Sequence, residues 1–179
     1  MYYGEIKNFD IANGEGVRVS LFVSGCTHHC HNCFNRETWD FHFGQPFTEE
    51  TEEMLLQELA PDYINGLSLL GGEPFEPQNQ AVLLPFLRRV KAAFPEKNIW
   101  CYTGYLFDTE LLGESRARCE HTDEMLSYID ILVDGEFVQE LYSIALQFRG
   151  SSNQRIIDVQ KSLKSGQVVP YVPKSGKIE

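Results

Sequence analysis

A chain of 179 residues with 15 basic and 26 acidic side chains carries a formal net charge of -11, and its acids are spread along the length. That balance excludes the basic footprint of a nucleic-acid binder, so no nucleic-acid partner is expected. The N-terminus lacks the charged-then-apolar order of a signal peptide and no apolar run could span a bilayer, so the expected setting is cytoplasmic, with reduced cysteines and no membrane.

The first clear element is the strand Val17-Arg18-Val19-Ser20-Leu21-Phe22-Val23. Its alternation puts Val17, Val19, Leu21 and Val23 on one face and Arg18, Ser20, Phe22 and Ser24 on the other. Where helices cover the outside, the polar set faces an interior cavity and Arg18 becomes a candidate site residue, with an exposed edge arginine as the alternative. The run Cys26-Thr27-His28-His29-Cys30-His31-Asn32-Cys33 follows. Most clusters take four thiolates, and this C-x3-C-x2-C spacing is one short, which suggests a four-iron cluster with one iron open to a small molecule. A Cys3His zinc site using one of the three histidines, a disulfide, or inert thiols on a helix face remain open on the cysteines alone. The histidines otherwise read as solvated loop residues.

Thr48 is the expected N-cap of a helix through Leu59, with Glu49 and Glu50 favoured in its first turn and Met54, Leu55 and Leu59 toward the core. Leu67-Ser68-Leu69-Leu70 reads as a short buried strand, and the paired glycines of Gly71-Gly72-Glu73-Pro74 let backbone approach a ligand closely. A helix over 78–94 puts Val82, Phe86 and Val90 on one face, with a kink expected at Pro85. Strands over 99–103 and 130–134 complete an alternation that indicates a parallel α/β sheet. Ligands in such folds collect at strand carboxyl ends, where this reading puts the cysteine loop, Gly71-Gly72, Thr103-Gly104 and Asp134-Gly135. Asp134 is therefore a candidate to order a substrate loop or contact a cofactor. Cys101 reads as a core residue and Cys119 as a surface thiol. One domain is expected over 1–160, followed over 161–179 by an extension of one strand and a loose tail.

The cysteine run followed by Gly-Gly-Glu-Pro resembles the radical S-adenosylmethionine enzymes. The resemblance implies an incomplete TIM-like β/α barrel, since 179 residues fall short of the roughly 250 of a full barrel. It also implies a 4Fe-4S cluster on Cys26, Cys30 and Cys33 whose open iron binds the amino and carboxylate groups of S-adenosylmethionine. Gly71, Gly72, Glu73 and Pro74 would contact its methionyl end, and Asn32 and Thr103 would add cofactor contacts. Reductive cleavage would yield methionine and a 5'-deoxyadenosyl radical. Asn32 stands where the superfamily often has an aromatic or apolar residue against the adenine, and Cys101 where the pyruvate formate-lyase activating enzyme has an aspartate at a cation site, so no cation is expected.

Further segments resemble the activating proteins of anaerobic ribonucleoside-triphosphate reductase: Asn13-Gly14-Glu15-Gly16-Val17-Arg18, Cys33-Phe34-Asn35-Arg36-Glu37-Thr38-Trp39, Tyr102-Thr103-Gly104-Tyr105, Ile131-Leu132-Val133-Asp134-Gly135 and Arg149-Gly150-Ser151-Ser152-Asn153-Gln154-Arg155. These imply a glycine of the reductase large subunit as substrate and flavodoxin or a similar reductant. The alternatives are activation of another glycyl-radical enzyme, such as pyruvate formate-lyase, and a zinc-dependent interaction module.

Overall fold

The alternation over Val17–Val23 becomes a strand whose two faces meet different surroundings. The computed structural model describes residues 1–174. Its elements are β1 (Tyr2–Asp10), β2 (Val17–Val23), β3 (Gln45–Pro46), α1 (Glu49–Leu59), β4 (Ile64–Gly71), α2 (Pro77–Ala93), β5 (Asn98–Tyr102), α3 (Thr122–Tyr128), β6 (Ile131–Asp134), β7 (Arg155–Asp158) and α4 (Val159–Ser165). The strands form one open seven-stranded sheet in the order β3-β1-β2-β4-β5-β6-β7. β2, β4, β5 and β6 are parallel, as crossover helices require, while β1 and β7 flank them antiparallel. The sheet does not close, in keeping with an incomplete barrel.

On one face Val19, Leu21, Val23, Leu67, Leu69, Ile99 and Cys101 pack with Leu55 and Leu59 of α1, Leu83 and Leu87 of α2, and Met125 and Leu126 of α3 into the main core. The opposite face is different. There Arg18, Ser20 and Phe22 align in register with Gly66, Ser68 and Leu70, next to a small cluster of Trp100, Ile131, Val133 and Ile156. The parallel strands therefore end in loops above a floor that is apolar at its carboxyl end and polar at its amino end.

Thr48 caps α1, accepting from the Thr51 N–H, and Leu55 and Leu59 are buried as the helical spacing requires. Met54 is a correction: it is 40% exposed, because the buried stripe runs Thr51-Leu55-Leu59 at four-residue intervals and Met54 lies one position off it. α2 continues through Pro85, which faces solvent. Residues 161–174 also differ from the expected strand and tail. Asp158 caps α4 by accepting from the Lys161 N–H and Gly166 ends it in the left-handed region at φ 71°. An isolated bridge then joins Pro170 to Ile157, and Tyr171 packs edge-on against Trp100. The last five residues of the expected tail lie outside the described residues. No described helix is long and apolar enough to cross a membrane.

Candidate functional site

The cysteine loop leaves β2 through Gly25, whose φ of 100° suits glycine, and Gly71 turns the end of β4 at φ 101°. The two turns are hydrogen-bonded together. The Gly72 N–H donates to the Val23 carbonyl at 2.7 Å, the Glu73 N–H to the Gly25 carbonyl at 2.8 Å, and the Gly25 N–H to the Thr38 carbonyl at 2.7 Å. A Cβ on Gly72 would lie 2.6 Å from the Gly25 oxygen and 2.9 Å from that of Thr38. The second glycine is thus required by backbone packed against backbone at the root of the cysteine loop. Residues the sequence reading missed reinforce the join. Asn79 Nδ2 donates to the Ser24 and Glu73 carbonyls at 3.0 Å each, and Glu76 Oε1 accepts from the Thr27 N–H and hydroxyl at 2.8 and 2.6 Å. Local spacing gives no signal for them, because Asn79 meets Ser24 and Glu76 meets Thr27 across 55 and 49 residues of chain.

Glu73 is 1% exposed and sits at the centre of the strand ends. Its Oε1 accepts from the Phe75 N–H and the Thr103 hydroxyl, and its Oε2 from the Gly104 N–H and His28 Nε2. His28 corrects the expectation of a solvated loop histidine: its side chain is only 5% exposed and its Nδ1 meets Glu136 Oε1 at 2.7 Å. Burial alone would lower the imidazole pKa. The hydrogen bonds and charges of Glu73 and Glu136 outweigh that and raise it. His29 and His31 are exposed as expected, His29 stacking on Trp39.

Cys26, Cys30 and Cys33 carry unbridged thiols and line one cleft of about 460 Å³ together with Gly71, Gly72, Glu73, Thr103, Gly104, Gly135, Gly150 and Gln154. Burial and the charge of Glu73 push the Cys26 thiol up to about 12, and burial with Glu136 raises Cys30. Such thiols stay protonated until a metal takes the place of the proton. The donor set fits a cluster. Three unbridged thiols on one cleft are one short of the usual four-thiolate set, which leaves one iron of such a cluster open. Lys7 and Arg149 bring positive charge to the walls, and the hydroxyl of Tyr102, another lining residue, is buried without a hydrogen-bond partner among the described residues.

Four candidates fall elsewhere, among them Pro74, which is buried and does not line the cleft. Arg18 is fully buried at the amino end of the sheet, and all five of its N–H groups are engaged. Nε donates to Ser68 Oγ, Nη1 to Asn98 Oδ1 and the Glu15 carbonyl, and Nη2 to the Leu67 and Asn98 carbonyls. Asn32 is exposed at φ 57° and is not part of the cleft wall. Asp134 is fully buried at the end of β6, where it accepts the Phe107 N–H and two bonds from Arg155, at 2.9 and 2.5 Å. It braces β7 and the segment before it. That segment folds on itself: Gln154 Oε1 accepts from the Gly150 and Ser151 N–H groups, and Gln154 Nε2 donates to the Gly135 carbonyl. Cys101 is fully buried on the helix face, while Cys119 is half-buried with Sγ 3.5 Å from Gln80 Oε1 rather than a free surface thiol.

The family model described as a 4Fe-4S single cluster domain matches residues 12–157. The chain is 46% identical over 158 residues, 87% of its length, to the anaerobic ribonucleoside-triphosphate reductase-activating protein of Pasteurella multocida (strain Pm70), covering 96% of that protein. The protein of the same name from Enterobacteria phage T4 is 44% identical over 157 residues, 87% of this chain and 93% of its own. That of Escherichia coli (strain K12) is 42% identical over 156 residues, 86% and 96%.

Proposed function

Because this chain belongs to the family of anaerobic ribonucleoside-triphosphate reductase-activating proteins, with a 4Fe-4S cluster domain over residues 12–157, we propose that its cleft generates the glycyl radical of that reductase. The carrying observation is that the three thiols, the Gly71-Gly72-Glu73 turn and the segment around Arg149 and Gln154 all line one cleft. The 4Fe-4S family replaces the zinc module as the reading of the cysteines.

On this proposal the open sheet is a partial barrel of the radical S-adenosylmethionine type, and Cys26, Cys30 and Cys33 each hold one iron. When bound, the cluster supplies one electron, taken from flavodoxin or a similar reductant, that splits S-adenosylmethionine into methionine and a 5'-deoxyadenosyl radical. The protein's own groups do the placing. Backbone at Gly71 and Gly72 faces the methionyl end, Thr103 and Gly104 are fixed by Glu73 at the next strand end, and Lys7 and Arg149 provide countercharge for a carboxylate. The acceptor is the α-hydrogen of a reductase glycine, whose radical is delocalised by the amides on both sides; the unclosed side of the sheet admits a peptide loop. Arg18 acts as a strut beneath the floor, and Asp134 as the brace of the 149–155 segment.

The test is reconstitution without oxygen. The protein mixed with reduced flavodoxin, S-adenosylmethionine and its cognate anaerobic reductase should give a glycyl radical, seen by electron paramagnetic resonance as a doublet. A radical only on pyruvate formate-lyase would overturn the substrate, and protein with zinc but no sulfide would overturn the chemistry.

A further inference from the structure

His28 stands between two of the cysteines, yet its ring belongs to the strand ends. Nε2 lies 2.9 Å from Glu73 Oε2, Nδ1 lies 2.7 Å from Glu136 Oε1, and the ring packs against Tyr105 with centroids 4.4 Å apart. Those partners follow β4, β6 and β5 respectively. Gly104 leaves the space the ring fills, since a Cβ there would come within 2.6 Å of Nε2. Thr27 and His28 supply the side-chain hydrogen bonds that tie the cysteine loop to the rest of the described fold, Thr27 to Glu76 before α2 and His28 to the strand ends. Both ring nitrogens face carboxylate oxygens, an arrangement that hydrophobic burial alone would not produce. Glu136 is in turn linked to the subfamily segment, because Asn153 Nδ2 donates to its carbonyl at 2.8 Å.

We infer that His28 is a positioning residue: it latches the cysteine loop to Glu73 on one side and to Glu136 on the other, and so fixes the cluster loop relative to the wall that receives the methionyl end of S-adenosylmethionine. Removing the imidazole leaves Cys26, Cys30 and Cys33 in place but frees the middle of their loop. The cluster then forms while cofactor engagement suffers. This rests on the reading that the three cysteines carry the cluster and the cleft takes S-adenosylmethionine.

The experiment compares wild type, His28→Ala, His28→Gln and Glu136→Ala, all purified and reconstituted without oxygen. Iron and sulfide report the cluster. The paramagnetic resonance spectrum of the reduced cluster with and without S-adenosylmethionine, and the equilibrium affinity for it, report positioning. We expect His28→Ala to keep its iron and sulfide, to show a diminished spectral response, and to bind the cofactor on the order of tenfold more weakly. His28→Gln, whose amide N–H can still donate to Glu73, should recover most of the response, and Glu136→Ala should fall between. A His28→Ala protein with wild-type affinity and response would overturn the latch, as would a glutamine variant no better than alanine, since the restored donor to Glu73 would then achieve nothing. If His28→Ala does not fold, Glu136→Ala carries the test, and its equality with wild type overturns the proposal. Failure of the underlying reading looks different: the wild-type protein itself would lack iron and sulfide or show no response to S-adenosylmethionine.

Discussion

Replacing Cys26, Cys30 or Cys33 by alanine should abolish both cluster retention and S-adenosylmethionine cleavage, measured as iron, sulfide and methionine released. Cys101→Ala and Cys119→Ala should keep the cluster, since Cys101 lies on the helix face and Cys119 beside Gln80. A variant of the first group that holds four irons per chain would contradict the ligand assignment. Gly72→Ala should act through the cysteine loop rather than by filling the ligand's space, because its Cβ meets the Gly25 and Thr38 oxygens. Overpacking of this kind costs about 1–3 kcal/mol. The expected signature is a lowered denaturation midpoint with faster cluster loss; cofactor binding lost in a protein of wild-type stability would place that Cβ against the ligand instead. At this scale the sequence disclosed the cysteines and glycines because their chemistry is written in spacing. It hid His28, Glu76 and Asn79, whose roles depend on partners tens of residues away.

Strands and their register convert those residues into a site. β2 was legible because its two faces alternate cleanly, and Arg18 was rightly placed on the cavity face. What alternation cannot give is position along the strand. Arg18 lies at the amino end, where Ser68, Asn98 and two more backbone carbonyls take its donors. Arg18→Met should leave several buried acceptors unpaired and cost at least about 3 kcal/mol, read as a fall in the urea midpoint. If stability were unchanged while cofactor cleavage vanished, the strut would have to give way to a catalytic role. The β6–β7 pair makes a second prediction. Asp134→Asn weakens the Arg155 brace by about 1–3 kcal/mol, loosening the segment that Gln154 ties to Gly135. Radical transfer to the reductase should fall more than cofactor cleavage measured without it; equal losses in both would mean that Asp134 serves the cofactor directly. α4 was missed because seven residues between the caps Asp158 and Gly166 offer too short a window for periodicity to register.

As a whole molecule, the described residues form a sheet with a parallel centre and antiparallel flanks, a helix-covered apolar face and an opposite face that supports the cleft, and the sheet does not close. An open barrel suits a substrate that is another protein's loop, and the acidic surface, at a net charge of -11, makes association with the reductase a matter of shape and local charge rather than of a broad basic patch. The family assignment was legible from segments scattered along the chain, whereas the cleft that unites them required the fold. The central claim is that this cleft moves one hydrogen atom from a reductase glycine to S-adenosylmethionine-derived carbon. Isotope transfer tests it most directly. With the cognate reductase deuterated at its glycine α-positions, deuterium should appear in 5'-deoxyadenosine at one atom per radical formed, and the doublet of the protonated glycyl radical should collapse. Cofactor cleavage that proceeds with unlabelled 5'-deoxyadenosine while the reductase remains without a radical would contradict the account.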